Sequence, residues 1–127
     1  MIKVIHVEDD DDIRELVGLS LDATGDFELL SFASGVDALR AVEVFGPDLL
    51  LLDMMMPNMN GVETLEAIRK MEGYSKIPAI FLTARASVDQ NEELLDAGAL
   101  DVIVKPFDPL ELGREVKQLL SGASMSS

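Results

Sequence analysis

The sequence predicts a doubly wound α/β domain, a (βα)5 chain whose five-stranded parallel sheet carries helices on both faces, and three observations point to it. Strand-like and helix-like patterns alternate five times along the chain. Two strand segments, Leu49-Leu50-Leu51-Leu52 and Val102-Ile103-Val104, are continuously apolar rather than alternating, as expected of strands covered on both sides. The 127 residues, 48% of them apolar, suit one domain with a substantial core.

The first strand is expected over Ile2 to Val7. In the helix behind it, Ile13, Leu16, Val17 and Leu21 follow the i, i+3, i+4, i+8 spacing of one buried stripe, with the small Ser20 at i+7. Phe27 to Phe32 reads as the second strand, and the second helix begins at Ser34 and stops before Gly46-Pro47. The third strand covers Asp48 to Asp53, and the third helix runs from Asn60 or Gly61 to about Met71. Ala79 to Thr83 forms the fourth strand. The fourth helix rests on Ser87 with Gln90 three positions on, which resembles a capping box, and on Gly98 after Ala97 as its C-terminal stop. Its middle, Asp89-Gln90-Asn91-Glu92-Glu93, is wholly polar, so that helix should be loosely held. Asp101 to Val104 is the fifth strand. The last helix opens on Asp108-Pro109, a cap followed by proline at the first helical position, and buries Leu112, Val116 and Leu119. The domain is expected over 1–121, with the small polar residues 122–127 as a disordered tail.

Charge narrows the range of partners. Twenty-four acidic residues against ten basic ones give a net charge of −14, which argues against contact with a nucleic acid backbone or an anionic membrane surface. Cations and basic protein surfaces are favoured instead. The absence of Cys excludes disulfides and thiolate metal sites and is compatible with the cytoplasm, the expected location. No stretch approaches the roughly 20 apolar residues of a membrane helix.

The acids concentrate in Glu8-Asp9-Asp10-Asp11-Asp12, directly after the first strand. Neighbouring carboxylates repel by roughly 4 kcal/mol per pair at about 4 Å and an effective dielectric near 20. In an open parallel sheet, ligands bind beyond the carboxyl ends of the strands. To that edge strand one delivers Glu8 and Asp9, strand three Asp53, strand four Thr83, and the end of strand five Lys105-Pro106. Three carboxylates sharing one pocket cannot all stay ionised against a single lysine unless a cation joins them. An all-oxygen donor set of two or three carboxylates, with water completing the shell, suits Mg2+ better than a full Ca2+ cage. Asp10, Asp11 and Asp12 have a separate explanation as first-turn residues of the first helix, where the helix dipole favours negative charge by about 0.3 to 1 kcal/mol each.

These motifs together resemble the receiver domain of the response regulators of two-component signalling, the family of the chemotaxis regulator. The resemblance extends from Ile2 to about Leu120. It rests on Glu8-Asp9, on Asp53 followed by Met54-Met55-Met56-Pro57 and then Gly61, on Thr83-Ala84, and on Lys105-Pro106-Phe107, in that order and spacing. It implies a flavodoxin-like sheet of strand order 2-1-3-4-5. It implies that Asp53 is the nucleophile that takes a phosphoryl group from a histidine kinase, a histidine phosphotransfer protein or a small phosphodonor. Glu8 and Asp9 would then hold Mg2+ directly or through water, with Asp53 and the backbone carbonyl of Met55. Lys105 would offset charge on the phosphoryl oxygens, Thr83 would turn its hydroxyl toward them, and the Lys105-Pro106 peptide would be cis. The implied outcome is a switch, not a conventional enzyme, with self-phosphorylation and autodephosphorylation. It would be read by an effector protein or output domain at the helix 4, strand 5, helix 5 face, with phosphorylation-dependent homodimerisation a further expectation.

Other conspicuous residues have plainer readings. His6, the sole histidine, lies inside strand one and is expected to be structural. Met54, Met55, Met56 and Met59 suit loop packing. Val102 stands where the family often carries an aromatic ring that moves with the hydroxyl, and a stiff β-branched side chain cannot do the same. A phosphohydrolase of the haloacid dehalogenase type would need an acid where Met55 stands, and a nucleotide or flavin binder would need a phosphate cradle where five acids follow strand one.

Overall fold

The computed structural model describes residues 1–84 and 88–126, without the side chains of 88–91 and 123–126. Ten elements alternate along the chain: β1 (Ile2–Val7), α1 (Asp11–Asp22), β2 (Phe27–Phe32), α2 (Gly35–Phe45), β3 (Leu49–Asp53), α3 (Gly61–Arg69), β4 (Ala79–Thr83), α4 (Val88–Asp96), β5 (Asp101–Val104) and α5 (Leu112–Ser126). The five strands pair in parallel in the order β2-β1-β3-β4-β5. The fold expected from the alternation is the fold observed.

The continuous apolar runs divide between two cores by the two-residue period of a strand. Ile5, Val7, Leu50, Leu52, Ala79 and Phe81 face α2, α3 and α4, where they meet Ala38, Val42, Leu65, Ile68 and Leu94. Val4, Leu49, Leu51, Ile80, Leu82 and Ile103 face the other way, against Val17 and Leu21 of α1 and Leu112 and Val116 of α5. All five residues of β3 and of β4 are buried. Burying a Leu or Ile side chain contributes about 1.5–3 kcal/mol, so the central strands are the rigid part of the molecule.

Local chemistry sets the ends of the elements. Asp10 caps α1 by accepting from the N–H groups of Asp12 and Ile13 at 2.9 and 3.1 Å. Ser34 caps α2. Asn60 opens α3 with a reciprocal capping box, its side chain accepting from the Glu63 N–H at 2.8 Å while Glu63 accepts from the Asn60 N–H at 3.0 Å. The expected cap Ser87 lies outside the described residues.

Four details differ from the sequence reading. Strand β3 begins at Leu49, because Asp48 turns its carboxylate back to accept the Lys3 N–H at 2.9 Å. Leu16 is 41% exposed, since Val17, Ser20 and Leu21 carry the buried stripe of α1 and Leu16 lies to one side of it. Asp108 accepts the Leu110 N–H at 2.9 Å as a cap would, but a tight turn follows and regular helix starts at Leu112. Finally, α5 continues to Ser126, so helix replaces the tail expected over 122–127 as far as Ser126; each added residue gains one backbone hydrogen bond once a helix is nucleated.

The connection from β3 into α3 is closely packed. The Gly61 N–H donates to the Met54 carbonyl at 3.0 Å. A Cβ on Gly61 would strike the Asp53 carbonyl oxygen and sit 2.7 Å from Phe81 Cε1. Gly61→Ala is therefore expected to cost about 1–3 kcal/mol of stability, as overpacking does, and urea denaturation of the two proteins measures it.

Candidate functional site

The parallel ladder places each expected site residue at the same edge. The Glu8 N–H extends β1 by donating to Phe32 O at 3.0 Å, Asp53 ends β3, Thr83 ends β4, and the Lys105 N–H donates to Thr83 O at 2.7 Å. A cavity of about 280 Å³ opens there, lined by Glu8, Asp9, Asp10, Ile13, Asp53, Met55, Thr83, Ala84 and Lys105. The topology thus brings all six expected residues, Glu8, Asp9, Asp53, Met55, Thr83 and Lys105, to one place. The Lys105-Pro106 peptide is cis.

Within the cavity the side chains differ sharply in exposure. Glu8, Asp53 and Thr83 are buried, Lys105 is mostly so, and Asp9 is open to solvent. Lys105 Nζ lies 2.6 Å from Glu8 Oε1 and 3.3 Å from Asp53 Oδ1. The other Glu8 oxygen accepts the Asp10 N–H at 3.3 Å. Arg14 Nη1 holds the Glu8 carbonyl at 2.9 Å and fixes the loop to α1.

Two buried carboxylates facing one ammonium leave the site short of positive charge. Burial pushes the Glu8 carboxyl up to about 7, Lys105 opposing the rise and Asp53 adding to it. Burial works against the charge of Lys105, but Glu8 and Asp53 outweigh it and hold its pKa above the ordinary lysine value. The donor set fits a hard divalent ion: one oxygen each from Glu8, Asp9 and Asp53 lie within 4.8 Å of one another. Such an ion would supply the missing charge.

His6 is structural, as expected. It is fully buried, its Nδ1 lies 3.3 Å from Ser31 Oγ, and burial first, then Lys105 and Arg14, lowers its pKa to about 3. The sequence reading missed three features. Asp10 caps α1 and also lines the cavity; a carboxylate just before a helical stripe is the signal for both. The hold of Arg14 on Glu8 had no local pattern to announce it. Nor did the first preference of Lys105 for Glu8, which depends on Glu8 reaching one methylene further than Asp would.

The response regulator receiver domain family matches residues 4–117. The chain belongs to that family. As a receiver domain it is a phosphoacceptor signalling domain of the two-component kind, of a class that generally binds Mg2+. Among solved structures it is similar to the chemotaxis response regulator CheY4 of Vibrio cholerae, with 32% identity, a TM-score of 0.86, and coverage of 94% of this chain and 98% of that one. The receiver domain of Francisella response regulator 1452 superposes with a TM-score of 0.84 at 28% identity, covering 97% and 99%. Among curated proteins it is 39% identical over 118 residues to the transcriptional regulatory protein PrrA of Mycobacterium tuberculosis, covering 93% of this chain and 49% of that protein. The DNA-binding response regulator MtrA of Mycobacterium leprae is 36% identical over 118 residues, with 93% and 51% covered. The receiver domain therefore spans about half the length of these relatives. Among the described residues no helix is long and apolar enough to cross a membrane.

Because the folded chain holds the Glu8 proton more tightly than the unfolded chain does, the contribution of Glu8 to stability is present below pH 4.5 and is lost as pH rises through about 7. His6, lowered to about 3, acts oppositely, its contribution being present above pH 6.5 and lost in acid. The difference between wild type and Glu8→Gln isolates the first effect. Without divalent ions Glu8→Gln is expected to be the more stable protein at pH 8, with its advantage shrinking toward pH 5, in urea titrations across that range.

Proposed function

We propose that this receiver domain is a phosphorylation-dependent switch in which Asp53 accepts a phosphoryl group from a histidine kinase, a histidine phosphotransfer protein or a small phosphodonor, in a Mg2+-dependent reaction. The observation that carries the reading is the gathering of Glu8, Asp9 and Asp53 within 4.8 Å, with Lys105 Nζ 3.3 Å from Asp53. Asp53 attacks as the carboxylate, so no base is needed to activate it. One of its oxygens forms the new bond to phosphorus, and the bond from phosphorus to the donor nitrogen or oxygen breaks, its electron pair leaving with the donor. Lys105 offsets charge on the transferring oxygens, and the Thr83 hydroxyl at the end of β4 donates to the phosphoryl group once it is in place. Glu8, Asp9, Asp53 and the Met55 carbonyl would hold Mg2+, directly or through water, and the bound ion would supply charge neutralisation for the same oxygens. Hydrolysis of the aspartyl phosphate returns the domain to its resting state.

Phosphorylation adds about −1.5 to −2 charge to a cavity already rich in acids, which favours rearrangement of the surrounding loops. The proposed readout is the face formed by α4, β5 and α5, where Leu95 and Val104 are 46% and 38% exposed. The length of PrrA and MtrA supports an output domain as one reader of that face, and an effector protein or a second, phosphorylated copy of the chain are others. The setting proposed is the cytoplasm.

Incubation with Mg2+ and acetyl phosphate, followed by intact mass measurement, is expected to reveal a single phosphoryl adduct that chelation of Mg2+ abolishes. Asp53→Ala should show no adduct, and Lys105→Ala should form it about 10²-fold more slowly. An adduct of unchanged yield in Asp53→Ala defeats the assignment.

A further inference from the structure

Arg69, the last residue of α3, lies at the opposite end of the sheet from the acidic cavity and has no part in its chemistry. Its Nη2 donates to the carbonyls of Ile77 at 2.9 Å and Gly98 at 2.8 Å, and its Nη1 to that of Ala97 at 3.4 Å. Ile77 leads into β4, while Ala97 and Gly98 follow α4 and lead into β5. Gly98 has φ 99°, and a Cβ there would run into Arg69 Nη1, so the guanidinium rests directly against the glycine backbone. The last carbonyls of a helix lack intrahelical partners and carry the negative end of its dipole, which a planar cation with several N–H donors satisfies.

Among the described side chains of α4 the remaining attachment is slight. Of its described side chains, Glu92, Glu93, Leu95 and Asp96 are exposed and Leu94 is buried. Helices are held mainly by the apolar face they bury, and among the described side chains of α4 that face is Leu94. Its C-terminal end is therefore fastened by charged hydrogen bonds at the sheet edge remote from Asp53. Its other end follows Thr83 and Ala84 at the cavity.

We infer that Arg69 is the fixed pivot of α4, holding its C-terminal turn to α3 and β4 so that rearrangement at the cavity tilts the helix about that end. The inference rests on the switch proposed above and adds where the moving helix stays anchored. Arg69 is a positioning residue, since it touches none of the reacting groups.

Hydrogen exchange of the full chain, measured with and without Mg2+ and beryllofluoride as a phosphoryl mimic, tests it. In wild type the mimic should alter exchange within α4 and leave the Gly98 and Ala99 amides unchanged. Arg69→Met should speed exchange at Gly98 and Ala99 by roughly tenfold or more without affecting Leu50, Leu51 and Leu52, and should extend the mimic response to those two amides. Arg69→Lys, which keeps the charge but loses the fork, should fall between. Unchanged exchange at Gly98 and Ala99 in Arg69→Met, an equal rise in β3, or a wild-type response as large at Gly98 as within α4 would overturn the pivot. Intact mass of the same proteins after incubation with Mg2+ and acetyl phosphate separates the two readings: a phosphoryl adduct with the wrong exchange pattern removes the pivot alone, whereas neither adduct nor mimic response removes the switch and the pivot together.

Discussion

The buried Glu8 and Asp53 carboxylates and the single Lys105 ammonium form the constraint on which the rest of the site depends. Lys105 Nζ reaches both carboxylates, at 2.6 and 3.3 Å, yet it carries one charge against their two. Burial disfavours the charged form of the Glu8 carboxyl and pushes it up to about 7. A buried ion pair is poor evidence of stability, because desolvation offsets much of the attraction. The cluster is better understood as a cost the fold carries, and its oxygen donors fit a hard divalent cation.

The fold meets that cost with two cores on either side of the central strands. Leu49, Leu50, Leu51 and Leu52 are each fully buried, two against each layer of helices. They fix the position of Asp53 at the end of β3 far more firmly than a loop would. The Gly61 N–H bonded to Met54 and the absence of a Cβ at Gly61 then let α3 start close beneath the Asp53 backbone. Rigid strands and a tightly folded β3–α3 connection hold the acidic group.

Much of this was legible in the residues, for identifiable reasons. Parallel strands covered on both faces need unbroken apolar runs, and helices that start at caps and end at glycines leave marks a few residues long. Both kinds of signal are local, so the ten elements and the strand ends that carry Glu8, Asp9, Asp53, Thr83 and Lys105 could be placed. Features fixed by distant partners were not legible. Leu16 fits the helical period of α1, but whether it is covered depends on how α1 sits against α5. Asp48 looks like the first residue of a strand until the Lys3 N–H competes for its carboxylate. The joining of α3 to the turn after α4 by Arg69 spans 28 and 29 residues of sequence and has no periodic signature at all.

The same division bears on how a charge at Asp53 could be felt at a distance. Groups packed in the two cores have one arrangement, because every displacement opens a void or forces an overlap. Elements held by polar contacts have alternatives of similar energy, since water can replace a hydrogen bond with little net loss. Among the described side chains α4 buries Leu94, and its last turn is held by hydrogen bonds from Arg69, so it belongs to the second group. Val102, partly buried against the α2–α4 core, offers no ring to swing between two positions. A side-chain rotamer at position 102 therefore has little range through which to carry a signal.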